Sequence, residues 1–130
     1  MRVKENLKRL GVVGALAAAA STTVLTGSAS ADVSKVCSGS YFCNWTTGVT
    51  TYVQYVDAMK GTQLDGKYGY FQVFGPNGYL LTGTRTTVNT QRFPIRKSFP
   101  LRGLICIRYF EVIAGQPKEW GTPACTTIPI

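Results

Sequence analysis

The chain has 130 residues, 14 lysines and arginines against 6 acids, and no histidine, so it carries +8 at neutral pH. The missing histidine excludes Ser-His-Asp and Cys-His catalysis, and with it most zinc ligand sets. The few carboxylates leave little for acid–base work, so the reading from the outset is a non-enzymatic protein.

The first residues read as an export signal. Arg2, Lys4, Lys8 and Arg9 form a positive start, an apolar, Ala-rich stretch follows over 10–25, and the segment 26–31 ends in Ala29-Ser30-Ala31. That small-residue end has the Ala-x-Ala form of a cleavage site, so a cut is expected after Ala31. The apolar stretch is shorter than the roughly 20 residues a membrane span needs. Neither an Arg-Arg pair nor a cysteine at the cut is present, which argues against twin-arginine export and a lipid anchor. The Ala-rich style is bacterial. The expectation is a signal peptide over 1–31 and one secreted domain over 32–130, with no membrane span in the mature chain.

All four cysteines, Cys37, Cys43, Cys106 and Cys125, fall in the mature part. In an exported chain an even count reads as disulfides. Sequence alone does not choose among the three possible pairings. The sequential one, Cys37–Cys43 and Cys106–Cys125, is expected because the midpoint between Cys106 and Cys125 falls at Gly115-Gln116, where a hairpin turn is wanted. No metal site and no cofactor are expected, since there is no histidine and no Cys-x-x-Cys.

Taken in chain order, the mature part has no helical periodicity. It is rich in Thr, Val, Ile, Tyr and Phe, and Gly or Pro recurs every ten residues or so, the signature of an all-β domain. Strands are predicted near 40–45, 49–57, 67–74, 79–82, 84–90, 93–97, 104–113 and 124–128. Gly75-Pro76-Asn77-Gly78 predicts a turn that makes 67–82 a hairpin, and Leu64-Asp65-Gly66-Lys67 predicts another. The segment 104–113 is apolar at both parities and predicts a central strand buried on two faces. Its two charges, Arg108 and Glu111, are expected near its ends or with partners. The fold class expected is a small, disulfide-stapled antiparallel β-sandwich of immunoglobulin-like architecture.

Charge is uneven along this frame. Lys67, Arg85, Arg92, Arg96, Lys97, Arg102 and Arg108 follow one another with no acid between Gly66 and Phe110. Within this stretch the sequence nearly repeats itself, as Phe93-Pro94-Ile95-Arg96 and Phe99-Pro100-Leu101-Arg102. On a strand, Phe93, Ile95, Phe99 and Leu101 share the inward parity and the arginines the outward one. Lys97 breaks the pattern, so a bulge is expected near 97–98. The prolines confine the segment to a sheet edge, where prolines and charges also block edge-to-edge pairing. A guarded edge and an anion-binding strip are both consistent with these residues. The anion-binding candidates are Arg92, Arg96 and Arg102, with Lys97 and Arg85 adding field.

Other constellations fit a structural role as well as a functional one. Tyr68 and Tyr70, with Gln72 on the same strand face, are glycan-stacking candidates, or sandwich tyrosines with their hydroxyls at the rim. Residues 115–123, tethered between Cys106 and Cys125, offer Pro117, Lys118 and Glu119 as a candidate protease-inhibitor loop, since a preorganised loop loses little entropy on binding. The threonines of 82–90 read as one exposed strand. Lys67–Phe74 echoes an aromatic RNA-binding strand out of register, and the export signal makes nucleic acid an unexpected partner. Asp57 and Asp65 are the one carboxylate pair that a connection could bring together. Asn44-Trp45-Thr46 fits a glycosylation sequon, which carries no weight in a bacterial chain. The function expected is an extracellular binding module whose basic face contacts an anionic envelope polymer, an acidic glycan or an acidic protein. The alternatives are a protease inhibitor and a basic toxin or antimicrobial protein. Oligomeric state is left open.

Overall fold

A computed structural model describes residues 30–130, so the expected signal peptide lies, apart from its last two residues, outside the described residues. Two antiparallel four-stranded sheets account for the domain. In chain order the strands are β1 (Asp32–Ser38), β2 (Phe42–Val49), β3 (Tyr52–Lys60), β4 (Gly69–Phe74), β5 (Leu80–Thr82), β6 (Thr90–Ser98), β7 (Leu104–Ile113) and β8 (Gln116–Thr127). The first sheet runs β1-β2-β3-β6 and the second β5-β4-β7-β8. The described residues contain two single 3-10 turns, Thr62–Leu64 and Pro76–Gly78, and no helix long and apolar enough to cross a membrane.

The inward faces meet in one core. Phe42, Val53, Val56, Phe93 and Ile95 come from the first sheet and Phe71, Val73, Ile105, Ile107 and Tyr109 from the second, all buried. Phe71 joins the layers, lying 6.0 Å from Phe42 edge-on and 4.9 Å from Tyr109. Val53 and Val56 stand three apart, a spacing that a regular strand cannot bury on one face. The register shift between Val53 and Tyr55 resolves this by adding a residue at Gln54, which returns Val56 to the core. Just before it, Gly48 passes so close to the tight turn after Val49 that a Cβ there would lie 2.2 Å from the carbonyl oxygen of Tyr52.

One buried polar residue ties the sheets together. Asn44 on β2 is fully buried. Its amide donates 3.0 Å bonds to the carbonyls of Ile105 and Ala124 in the second sheet, and its oxygen accepts from the Thr46 hydroxyl at 2.6 Å. Buried amides are tolerated only when satisfied in this way, so this Asn side chain is structural and closed to modification in the folded domain. On the same side, edge strands β1 and β8 approach each other: the Thr122 amide donates to Ser38 Oγ at 3.2 Å, and the Ser34 and Thr126 hydroxyls lie 3.4 Å apart.

Both disulfides follow the sequential pairing, Cys37–Cys43 and Cys106–Cys125. Each joins directly opposed residues of one hairpin, β1–β2 and β7–β8. Two such bonds in a domain of about a hundred residues are the mark of an extracellular fold.

The structure amends several expectations. Strand β7 matches its predicted span, but only Ile105, Ile107 and Tyr109 face the core; its other side lies outward, where the disulfide covers Cys106 and Phe110 stacks on Tyr70 at 5.3 Å. The apolar outer parity reflects this aromatic cover on an outward face, and Leu104 and Ile113 at the ends are exposed. Residues 83–89 form a loop bonded to β4 by the Gly83 amide on the Phe71 carbonyl and by the Gly69–Thr86 bridge, and not the threonine strand expected there. Strand β1 was not foreseen. Strand β8 is also longer than its predicted tail, running from Gln116. Its turn is Ala114-Gly115, with φ of 51° and 79°, a two-residue type I′ connection. It sits one residue earlier than the midpoint argument placed it, because the β7–β8 register shifts between Ile107 and Tyr109.

Candidate functional site

Strand β6 is an edge of the first sheet, as the prolines require. Its buried residues are Phe93 and Ile95, and Phe99 just beyond it is buried as well. The near-repeat in sequence is a near-repeat in conformation. In each unit the Phe is buried, the Pro is exposed, and the Arg takes a left-handed backbone: Arg96 at φ 51° and Arg102 at φ 67°. Only the third positions differ, since Ile95 is 8% exposed and Leu101 is 67% exposed. The strand ends at Ser98, so the inward parity expected for Leu101 does not continue. The bulge lies at 95–96, slightly before the expected 97–98, where the two residues Ile95 and Arg96 between Pro94 and Lys97 lie opposite the single residue Gln54 between Val53 and Tyr55.

The three cations Arg96, Lys97 and Arg102 come together at one end of the sandwich. That end is made by the Thr50-Thr51 turn, the 99–103 connection, the 75–79 turn and residues 128–130; the Phe99 amide donates to the Thr51 carbonyl (2.9 Å), the Arg102 amide to the Ile128 carbonyl (2.8 Å) and the Ile130 amide to the Thr50 carbonyl (2.8 Å). Between the connection and the turn lies a depression of about 410 Å3, lined by Pro76, Asn77, Gly78, Tyr79 and residues 97–100. Tyr79 packs edge-on against Phe99 at 5.2 Å, and burial raises its phenol pKa, so it presents a protonated hydroxyl group at the rim. Asp65, Glu111 and Glu119 lie toward the opposite end, as the pairing of Gly69 with Glu111 shows. Among the described residues, Asp32 on β1, the opposite edge of the sheet, is the side-chain carboxylate at the basic end.

The remaining basic candidates are placed elsewhere. Arg92 lies on the outer face of the first sheet, directly across from Asp57. Its Nε and Nη2 donate to the two carboxylate oxygens at 2.7 and 2.8 Å, and its guanidinium lies 3.8 Å from the Tyr55 ring centre. The bond to Asp57 raises the Arg92 pKa further. Arg85 sits in the 83–89 loop, 5.5 Å from the Tyr70 ring. Arg108 donates to the Gln72 amide oxygen at 2.9 Å and lies over Phe74 at 4.8 Å. Lys67 pairs with Glu111 at 3.8 Å. Glu111 also accepts from the Trp120 indole at 2.9 Å, which gives it the partner expected from its place on β7.

The other candidate groups find structural surroundings. Tyr70 is half-buried under Phe110 and Arg85, and Tyr68 is exposed ahead of β4. Pro117, Lys118 and Glu119 are not on a loop: they pair in β8 with Val112, Glu111 and Phe110, and Lys118 lies 4.7 Å from the Trp120 ring. Cross-strand pairing extends almost to the turn, so the tether between the cysteines is filled by a hairpin. Asp57 and Asp65 are not brought together; Asp57 holds Arg92, and Asp65 accepts from the Asn89 amide beyond the end of β3. Among the described residues no three His, Cys, Asp or Glu side chains cluster.

Sequence reasoning missed Tyr79 and the 76–78 turn as neighbours of Lys97. No local signal marks them, since they join the site only through sheet packing. No known protein family, curated protein or solved structure matches this chain.

Proposed function

We propose that this is a secreted, non-enzymatic binding protein that holds an anionic partner at the basic end of its sandwich. The partner class is an envelope polymer, an acidic glycan or an acidic protein surface. The observation that carries this reading is the placement of Arg96, Lys97 and Arg102 at one end of the sandwich, with Lys97 lining the depression there and none of the three in an ion pair within 4 Å. Two of these cations occupy left-handed backbone, which costs an L-residue about 1–2 kcal/mol and which a glycine would relieve. Strained positions held by charged side chains point to a role for the charge. Arginine suits phosphate or carboxylate because its planar fork donates two parallel bonds. The immunoglobulin-like likeness belongs to this proposal too. It has the support of two facing antiparallel sheets in a chain of this size, while three consecutive strands in one sheet and disulfides within sheets depart from the antibody arrangement.

The inhibitor alternative has no loop to work with, and nothing favours the toxin reading. The test is co-sedimentation of the purified protein with bacterial cell walls, before and after anionic polymers are stripped, at low and high salt. Binding is expected to need the polymer, to fade as salt screens it, and to fall by about tenfold or more when Arg96, Lys97 and Arg102 are changed to Ser. Equal binding by the folded triple variant would leave the segment as a guarded sheet edge only.

A further inference from the structure

The outer face of the first sheet carries a second surface, made of residues that the basic end does not use. Three cross-strand rows build it. Lys35, Trp45, Asp57 and Arg92 stand side by side across β1, β2, β3 and β6. The row below them is Val33, Thr47, Tyr55 and Pro94, and the row above ends in Met59 and Thr90. Between Trp45 and Tyr55 lies a recess of about 430 Å3, with Thr47 on its floor and Val33, Met59 and Asp57 at its margins. That volume falls within the range of small-molecule sites. Val33 and Met59 are exposed apolar residues there, at 56% and 38%.

We infer that this recess binds a neutral sugar ring of a polysaccharide. The charge arrangement selects the ligand class. Asp57 and Arg92 neutralise each other at the recess edge, where an anion meets the carboxylate and a cation meets the guanidinium; Lys35, 4.9 Å from the Trp45 ring centre, adds one cation on the far side. A hydroxyl group meets both favourably, because it donates to the carboxylate and accepts from the guanidinium. Arg92 uses Nε and Nη2 on Asp57, which leaves Nη1 for such a partner. The planar pair is already held in place, with Arg92 stacked on Tyr55, so little ordering is needed on binding. The walls complement the other half of a sugar: a pyranose with equatorial hydroxyls has an apolar C–H face, and the recess offers it Val33, Met59 and the parts of the Trp45 and Tyr55 rings that Lys35 and Arg92 leave uncovered. A β-1,4-linked glucose or N-acetylglucosamine chain has the flattest such faces.

This site is independent of the basic end and differs from it in its response to salt. The experiment follows the indole N–H resonances of Trp45 and Trp120 in the full-length protein during titration with cellohexaose and with chitohexaose. The Trp45 signal is expected to move with at least one of them below about 10 mM sugar while Trp120 stays, with an affinity unchanged between low and high salt. Tyr55→Ala and Asp57→Asn, each checked as folded by its amide spectrum, are expected to weaken that affinity by roughly tenfold and roughly fivefold. Trp45→Ala removes the reporter and is followed by pull-down on insoluble cellulose and chitin instead. A Trp45 resonance that stays in place with both sugars overturns the inference, as does equal affinity in folded Tyr55→Ala. A resonance that moves with protein concentration alone, with slower diffusion, also overturns it and assigns the face to self-association.

Discussion

Arg92 and Arg96 stand four residues apart on the same edge strand, and the fold puts them to opposite uses. Arg92 sits on a regular part of β6, so strand pairing places it opposite Asp57, and a two-bond ion pair with a tyrosine beneath it results. Arg96 sits on the bulge, where the backbone turns left-handed and the ladder with β3 slips. It projects beside Lys97 with no carboxylate opposite. The difference teaches that the availability of a cation on a sheet is set by register: a residue in the ladder inherits the partner its row supplies, and a residue on a bulge does not.

The largest expected effect comes from breaking the frame that both regions share. Asn44→Ala removes the two bonds from β2 to the carbonyls of β7 and β8 and leaves the buried Thr46 hydroxyl without its acceptor. It is expected to lower stability by about 3 kcal/mol, read as a shift in the urea midpoint with an unchanged slope. A small loss would mean that the sheets are joined by apolar packing alone.

Next in size is the response of that frame to alkali, which must be known before binding at high pH is compared between the two regions. Burial, with help from the Glu111 charge, pushes the Tyr109 phenol up to about 12 from 10.0. The unfolded chain therefore releases this proton first as pH rises. The stability contribution is intact below pH 10 and is lost between about pH 10 and 12, on the order of 2 kcal/mol. Denaturation across that range checks it, and Tyr109→Phe should flatten the decline.

The smallest effect is the sharpest test of the comparison itself. Arg96→Gly and Arg102→Gly should each raise stability by about 0.5 kcal/mol, since relief of the left-handed backbone outweighs the added freedom of the unfolded chain. Arg92→Gly should lower it, because a regular strand position loses a side chain that packs and pairs. If all three changes destabilise, the positive φ at 96 and 102 is no source of strain. If the two glycine changes stabilise and also weaken polymer binding, the strain is kept for the charge.

Much of this was legible in the chain. The β class followed from composition and spacing, and the disulfide pairing from the turn between Cys106 and Cys125. The edge position of 92–98 followed from its prolines, because a residue without an amide hydrogen cannot serve an inner strand. The seven bases between Gly66 and Phe110 were equally plain as a run, but not their fate. Lys67 and Arg92 find carboxylates, Arg85 and Arg108 lie over aromatic rings, and Arg96, Lys97 and Arg102 gather at one end. Those outcomes depend on which strands are neighbours. The β8 hairpin shows the same limit, because Pro117 and Glu119 read as a loop until the Ala114-Gly115 turn sets them against β7.

By itself, then, the sequence determined what is local: the β class, most of the strand-forming segments, the turns at 64–67 and 75–78 and the edge-forming prolines. Each rests on the conformational preference of a few adjacent residues. Only the tertiary structure decided which charges are neutralised, which aromatic rings face outward together, and that Asn44 locks the two sheets. Those facts depend on register, and a shift of one residue in a ladder would exchange every inward side chain for its outward neighbour.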